Sequence, residues 1–235
     1  MKKDSQTTTR QIRDGTEFFD ITVVEAEQPS CVVLFAVGRG GNPLRHYALL
    51  QYVARLGCTI VAPHFDMLGS SIPSGADLDL RIRRLETCAD EYARTDFPLV
   101  GIGHSIGSVT LLALAGGEAE TLAGERIISR PQWKFARLAL LAPPTDFFRR
   151  PGALSLVTTP IQVWAGAKDH ITPPTQALFL KEVLGTQVPI KICIDDEAGH
   201  FTYMDELPPN ATEPHPDRST FLATLADDVG RFVRA

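Results

Sequence analysis

Seven short apolar runs, most of them separated by segments of helical spacing, restrict this chain to a small set of architectures. The runs span residues 18–25, 31–37, 58–63, 98–102, 137–143, 160–166 and 188–194. Most are continuous in Val, Ile, Leu and Ala, the pattern of strands covered on both faces. Between them, Leu49, Tyr52, Val53 and Leu56 share one helical face, with Gly57 as a C-terminal stop. A second helix, from about Asp79, has Ile82, Leu85, Ala89 and Tyr92 as its stripe. The segment after Ser105 is apolar nearly all round (Val109, Leu111, Leu112, Leu114) and must be buried. A helix near 175–184 and a terminal one carrying Phe221, Leu225, Val229 and Phe232 complete the series. Strands and helices taking turns predict an α/β fold: a mostly parallel central sheet of about seven strands with helices on both faces.

No repeat or linker divides the chain, so residues 16–235 read as a single domain, preceded by a flexible N-terminus at 1–15. A length of 235 residues allows a substantial core. The formal net charge of -5 argues against nucleic acid, because phosphate binding needs clustered Lys and Arg. The one basic cluster, "RIRRLE" from Arg81, is expected on the solvated face of its helix. Cys31, Cys58, Cys88 and Cys193 lie far apart without a C-x-x-C pair, which predicts unpaired core residues rather than a disulfide framework or zinc site. No apolar run has the length of a membrane span and none follows the first lysines as a signal peptide would, so a cytoplasmic protein is expected. A homodimer is left open. The Pro-rich acidic stretch 205–218 reads as a long surface loop.

Chemistry concentrates in "PLVGIGHSIGS", residues 98–108. Gly103 and Gly107 lack β-carbons, so a strand can turn abruptly into a helix there without backbone collision. The turn leaves the Ser105 hydroxyl projecting beyond the carboxyl end of a strand, where parallel sheets bind ligands. It also leaves the first helical amides unpaired beside that hydroxyl. The apolar strand before and the buried helix after are the context this G-x-S-x-G motif requires.

A serine nucleophile needs a base, and the base needs an orienting acid. Of six histidines, His46 falls in a helix, His64 follows a strand, His104 belongs to the turn itself, His170 adjoins a candidate acid and His215 lies in the Pro-rich loop. His200 follows the last core strand after a flexible Ala-Gly, so its loop can lay the imidazole over the sheet edge. Asp169 in "WAGAKDHITPP" is the favoured acid and Asp146 in "LAPPTDFF" its rival. Asp195, Asp196 and Glu197 read as turn residues. The order Ser, Asp, His is that of hydrolase sheets.

The strand–Gly-His-Ser-Ile-Gly–helix unit, "GAKDHITPP" and "AGHF" together resemble the α/β-hydrolase superfamily, over residues 18–233. Within it the chain is most similar to small, cap-poor members of the dienelactone-hydrolase and carboxylesterase kind. The resemblance implies a serine esterase acting on short or medium acyl esters or thioesters of small molecules, without metal or organic cofactor. It implies an oxyanion hole made by the backbone N–H groups of Ile106 and Arg39, in the turn "VGRGGNP" where Val37 stands in place of a common histidine. Gly38, Gly40 and Gly41 would allow close substrate approach, while Asp66 and Gly69 would be structural. Residues 144–159 are too few for a lid domain, so an open site is expected. Its rim would be Phe147, Phe148 and the 205–218 loop, with His104 and Gly40 as further pocket candidates. The two phenylalanines suit the core equally well. The same scaffold also runs C–C hydrolase or lyase chemistry, or binds ligands without catalysis.

Overall fold

The computed structural model describes residues 5–70, 72–130 and 132–235. Its strands are β1 (Thr7–Asp14), β2 (Glu17–Val24), β3 (Cys31–Ala36), β4 (Cys58–Pro63), β5 (Leu99–His104), β6 (Glu118–Glu120), β7 (Arg126–Ile128), β8 (Phe135–Leu141), β9 (Ile161–Gly166) and β10 (Ile190–Asp195). The helices are α1 (Tyr47–Arg55), α2 (Gly75–Tyr92), α3 (Ile106–Leu114), α4 (Pro174–Leu184) and α5 (Arg218–Arg234). Eight strands form one sheet in the order β1-β2-β4-β3-β5-β8-β9-β10, and β6 and β7 form a separate hairpin. From β4 to β10 the sheet is parallel, while β1 and β2 are antiparallel additions at one edge.

Both faces of the sheet are covered, as the continuous apolar runs require. Along β3, Val32, Leu34 and Ala36 belong to the core on the side of α2, α3 and α4, while Val33 and Phe35 belong to the core on the side of α1 and α5. Helix α3 is buried at every position, which explains its lack of a polar face. Helix α2 begins at Gly75, earlier than its apolar stripe suggests, because Ser74 and Asp77 cap it reciprocally. Among the described residues no helix is long and apolar enough to cross a membrane.

Three expectations need correction. The eighth strand is β1, which lies within the stretch expected to be a flexible N-terminus; its residues pair with β2 from Thr7 opposite Val24 to Asp14 opposite Glu17. Its Thr and Arg residues carry little apolar signal, and ion pairs of Arg10 with Glu25 and Asp14 with Arg83 tie it down. Residues 1–4 of that stretch lie outside the described residues. Secondly, Cys31 and Cys58 are a disulfide, their Cα atoms 4.6 Å apart. They stand directly opposite in the β3–β4 register, a juxtaposition that sequence spacing cannot reveal. Cys88 and Cys193 are free. Thirdly, Arg81 is not on a solvated face: it is 2% exposed and points into the protein.

Candidate active site

Ser105 sits where β5, in the middle of the sheet, turns into α3. Its backbone has φ 52° and ψ -126°, a conformation rarely adopted by a residue with a β-carbon. Two contacts hold it there. The Ser105 amide donates to the Leu141 carbonyl at 2.8 Å, and the α3 backbone presses against β3 at Gly107. A β-carbon on Gly107 would lie 2.0 Å from the Ala36 carbonyl oxygen, so only glycine permits this approach.

Two loops from neighbouring parallel strands bring the partners. Asp169 follows β9 and His200 follows β10. His200 Nε2 is 3.0 Å from Ser105 Oγ, and its Nδ1 is 2.8 Å from Asp169 Oδ2. Asp169 is 1% exposed, yet it accepts from the amides of Ile171 and Thr172 and from the Thr172 hydroxyl. Burial alone would push its pKa up; the hydrogen bonds from His200 and Thr172 outweigh this and hold it below the usual carboxylate value. An ionised Asp169 fixes the Nδ1–H tautomer of His200, leaving Nε2 free to accept the serine proton.

The loop after β3 runs alongside. Gly38 abuts the serine: a β-carbon there would sit 3.3 Å from Ser105 Cβ. Arg39 and Ile106 line the same cavity as Ser105 and His200. The Arg39 amide has no acceptor among the described residues. Ile106 is the first residue of α3, so its amide has no partner within the helix. Behind the loop, Arg81 donates from Nη1 to the carbonyls of Val37 at 3.2 Å and Gly38 at 3.1 Å, and from Nη2 to that of Arg39 at 3.3 Å.

No protein-family model matches this chain, and no curated protein matches it in sequence. Solved structures do match in fold. Dienelactone hydrolase from Anabaena variabilis ATCC 29413 superposes with a TM-score of 0.70 at 17% identity, over 97% of both chains. Carboxylesterase Cest-2923 from Lactobacillus plantarum WCFS1 gives 0.65 at 14%, over 94% of this chain and 95% of that one. Esterase 2 of Thermogutta terrifontis, phosphoramylated by tabun, gives 0.67 at 11%, over 95% and 93%. The chain has the α/β-hydrolase fold.

In this α/β-hydrolase fold the cavity above Ser105 measures about 500 Å³. Leu68, Pro73, Leu122, Phe147, Ile171 and Phe201 give it apolar walls, and Arg39, Glu120 and Asp146 are its charged lining residues. Four expected pocket features are corrected. Phe148 is 1% exposed and belongs to the core under β6, whereas Phe147 lines the cavity. His104 is also buried, behind the serine; its Nε2 donates to the His200 carbonyl at 3.0 Å. Gly40 points to open space and does not line the cavity. The 205–218 loop packs behind His200 instead of over the mouth: Glu213 accepts from the Thr202 hydroxyl, and Pro214 lies against Gly199. Asp146, the rival acid, pairs with Arg149 and Gln176 and does not meet His200.

Sequence reasoning missed Thr172 and Arg81. Thr172 lies three residues after Asp169, the spacing of an aspartate accepting from a following turn, and that spacing was a usable signal. Arg81 gave none. It shares a helix with Arg83 and Arg84, of which Arg83 is solvated, and only the packing of α2 beside β3 turns it inward.

Proposed function

We propose that this protein is a serine hydrolase that cleaves carboxylic or thio esters of small acyl substrates through an acyl-enzyme. The observation that carries the reading is the continuous relay of Ser105, His200 and Asp169, at 3.0 and 2.8 Å, beside two unpaired amides at the floor of an apolar cavity. His200 Nε2 takes the serine proton as Oγ attacks the acyl carbonyl. The imidazolium so formed is stabilised by Asp169. The amides of Ile106 and Arg39 receive the negative oxygen of the tetrahedral intermediate, and the loss of one such donor typically raises the barrier by about 3 kcal/mol. His200 then protonates the departing alcohol or thiol. Water enters, gives its proton to His200, and releases the acid by the same steps in reverse order.

The fold-mates named above are esterases and dienelactone hydrolases, which fits this reaction class. The apolar walls suit the acyl side of the ester, and a volume of about 500 Å³ suits short or medium chains. The test is a series of p-nitrophenyl esters of rising chain length with Ser105→Ala as control. Turnover is expected from acetate to about octanoate, with the control at least about 10³-fold slower in kcat. Turnover that survives in the control, or a wild-type protein inert to every ester and thioester offered, would refute the reading.

A further inference from the structure

Arg81 is a buried guanidinium with an unusual set of neighbours. Among the described residues no carboxylate pairs with it; its partners are the three successive carbonyls of Val37, Gly38 and Arg39 and the face of Phe65, 4.5 Å from the guanidinium carbon to the ring centroid. Burying a guanidinium with no carboxylate in ion-pair contact, its nearest counter-charge being Asp77 one turn earlier on α2, is costly. The location is what distinguishes it: the three carbonyls belong to the loop that carries the Arg39 amide beside Ser105.

We infer that Arg81 is a positioning residue of the oxyanion hole, helping to set the direction of the Arg39 N–H and placing a positive charge behind it. This rests on the hydrolase reading given above. The geometry of the peptide group makes the link. No peptide bond among the described residues is cis, so the Gly38 carbonyl and the Arg39 N–H of one peptide plane point in opposite directions. That carbonyl accepts from Arg81 and from the Gly41 amide at 3.2 Å, and its bond to Arg81 turns the Arg39 N–H away from the guanidinium. The flanking carbonyls are held as well, that of Val37 by Arg81 and that of Arg39 by Arg81 together with the Leu68 amide at 3.1 Å, which opposes a flip of the plane. Burial lowers the guanidinium pKa only to about 10, so the charge persists at neutral pH. It polarises the peptide and acts on an oxygen that is negative only in the intermediate. Such an interaction raises kcat and leaves ground-state binding nearly unchanged.

The experiment compares wild type, Arg81→Met and Arg81→Lys in p-nitrophenyl butyrate hydrolysis, with active sites counted by complete fluorophosphonate labelling and inhibition by a trifluoromethyl ketone measured in parallel. Met is expected to lower kcat per labelled site about 10- to 100-fold with KM within about twofold, and Lys to recover part of the loss. Ketone affinity is expected to fall in step with kcat/KM, a readout that a merely structural arginine would not move. A Met variant with kcat per site within twofold of wild type, or a loss borne by KM, would overturn the inference. Should Arg81→Met fail to fold, Arg81→Gln takes its place: it carries no charge and donates to at most two carbonyls, and wild-type kcat in that variant would refute the assignment. A wild type that labels at Ser105 but hydrolyses no ester would fail the substrate reading alone. The labelling rates of the variants then still test Arg81, since phosphonylation passes through the same kind of oxyanion.

Discussion

At the scale of single residues, buried polar groups set the chemistry and the acid limit. Asp169→Asn keeps the shape of the site but removes the charge that selects the His200 tautomer, and is expected to lower kcat by about 10³–10⁴-fold with little change in thermal unfolding. Steady-state kinetics beside a melting curve checks both halves. His46 and His104 form a second buried group, with ring centroids 5.0 Å apart. Burial pushes His46 down to about 4, and pushes His104 well below the usual histidine value. Both are therefore neutral in the fold, whereas in the unfolded chain they bind protons at about 6.5. Their contribution to stability is complete above that pH and is lost as pH falls toward the folded values, at about 1.4 kcal/mol per pH unit for each histidine. Urea unfolding at pH 7 and pH 5 is expected to show the loss, and His46→Gln to reduce it. Equal midpoints at the two pH values would contradict neutral burial.

At the scale of elements, the site depends on how closely α3 approaches β3. Gly107→Ala puts a β-carbon into the Ala36 carbonyl and is expected to cost about 3 kcal/mol of stability and to displace Ser105. Gly40→Ala meets nothing and is expected to leave the melting temperature within about 2 °C. Much of this was legible in the amino-acid order. The apolar runs located β2 to β5 and β8 to β10 to within a few residues, because strands buried on both faces leave no ambiguity of pattern. The glycines around Ser105 reported a tight turn for the same steric reason that the coordinates display. Polar elements were illegible: β1 and the β6–β7 hairpin are stabilised by pairing with neighbours rather than by their own periodicity. The inward turn of Arg81 and the meeting of Cys31 with Cys58 are products of strand order, and strand order is not written in any local window.

At the scale of the whole molecule, six parallel strands gather the segments that follow them at one edge, so residues from 39 to 201 in the chain share one cavity. The 205–218 loop, expected at the rim, takes no part in the cavity, whose walls include the β6–β7 side and the loops after β8 and β9. The Cys31–Cys58 bond closes a loop of 27 residues between adjacent central strands. Reduction is expected to lower stability by about 3 kcal/mol, read as a shift of the urea midpoint with dithiothreitol, while thiol titration of the unfolded, unreduced protein should count two free cysteines. Four free thiols and an unmoved midpoint would mean that the two side chains pack without bonding.

The central claim, that His200 makes the Ser105 hydroxyl nucleophilic, is tested most directly by intact-mass and peptide analysis after treatment with a fluorophosphonate. One adduct per chain, on the peptide containing Ser105 and formed at least about 10³-fold more slowly in His200→Ala, is the expected result. No adduct, an adduct on another residue, or labelling that proceeds unchanged without His200 would contradict it.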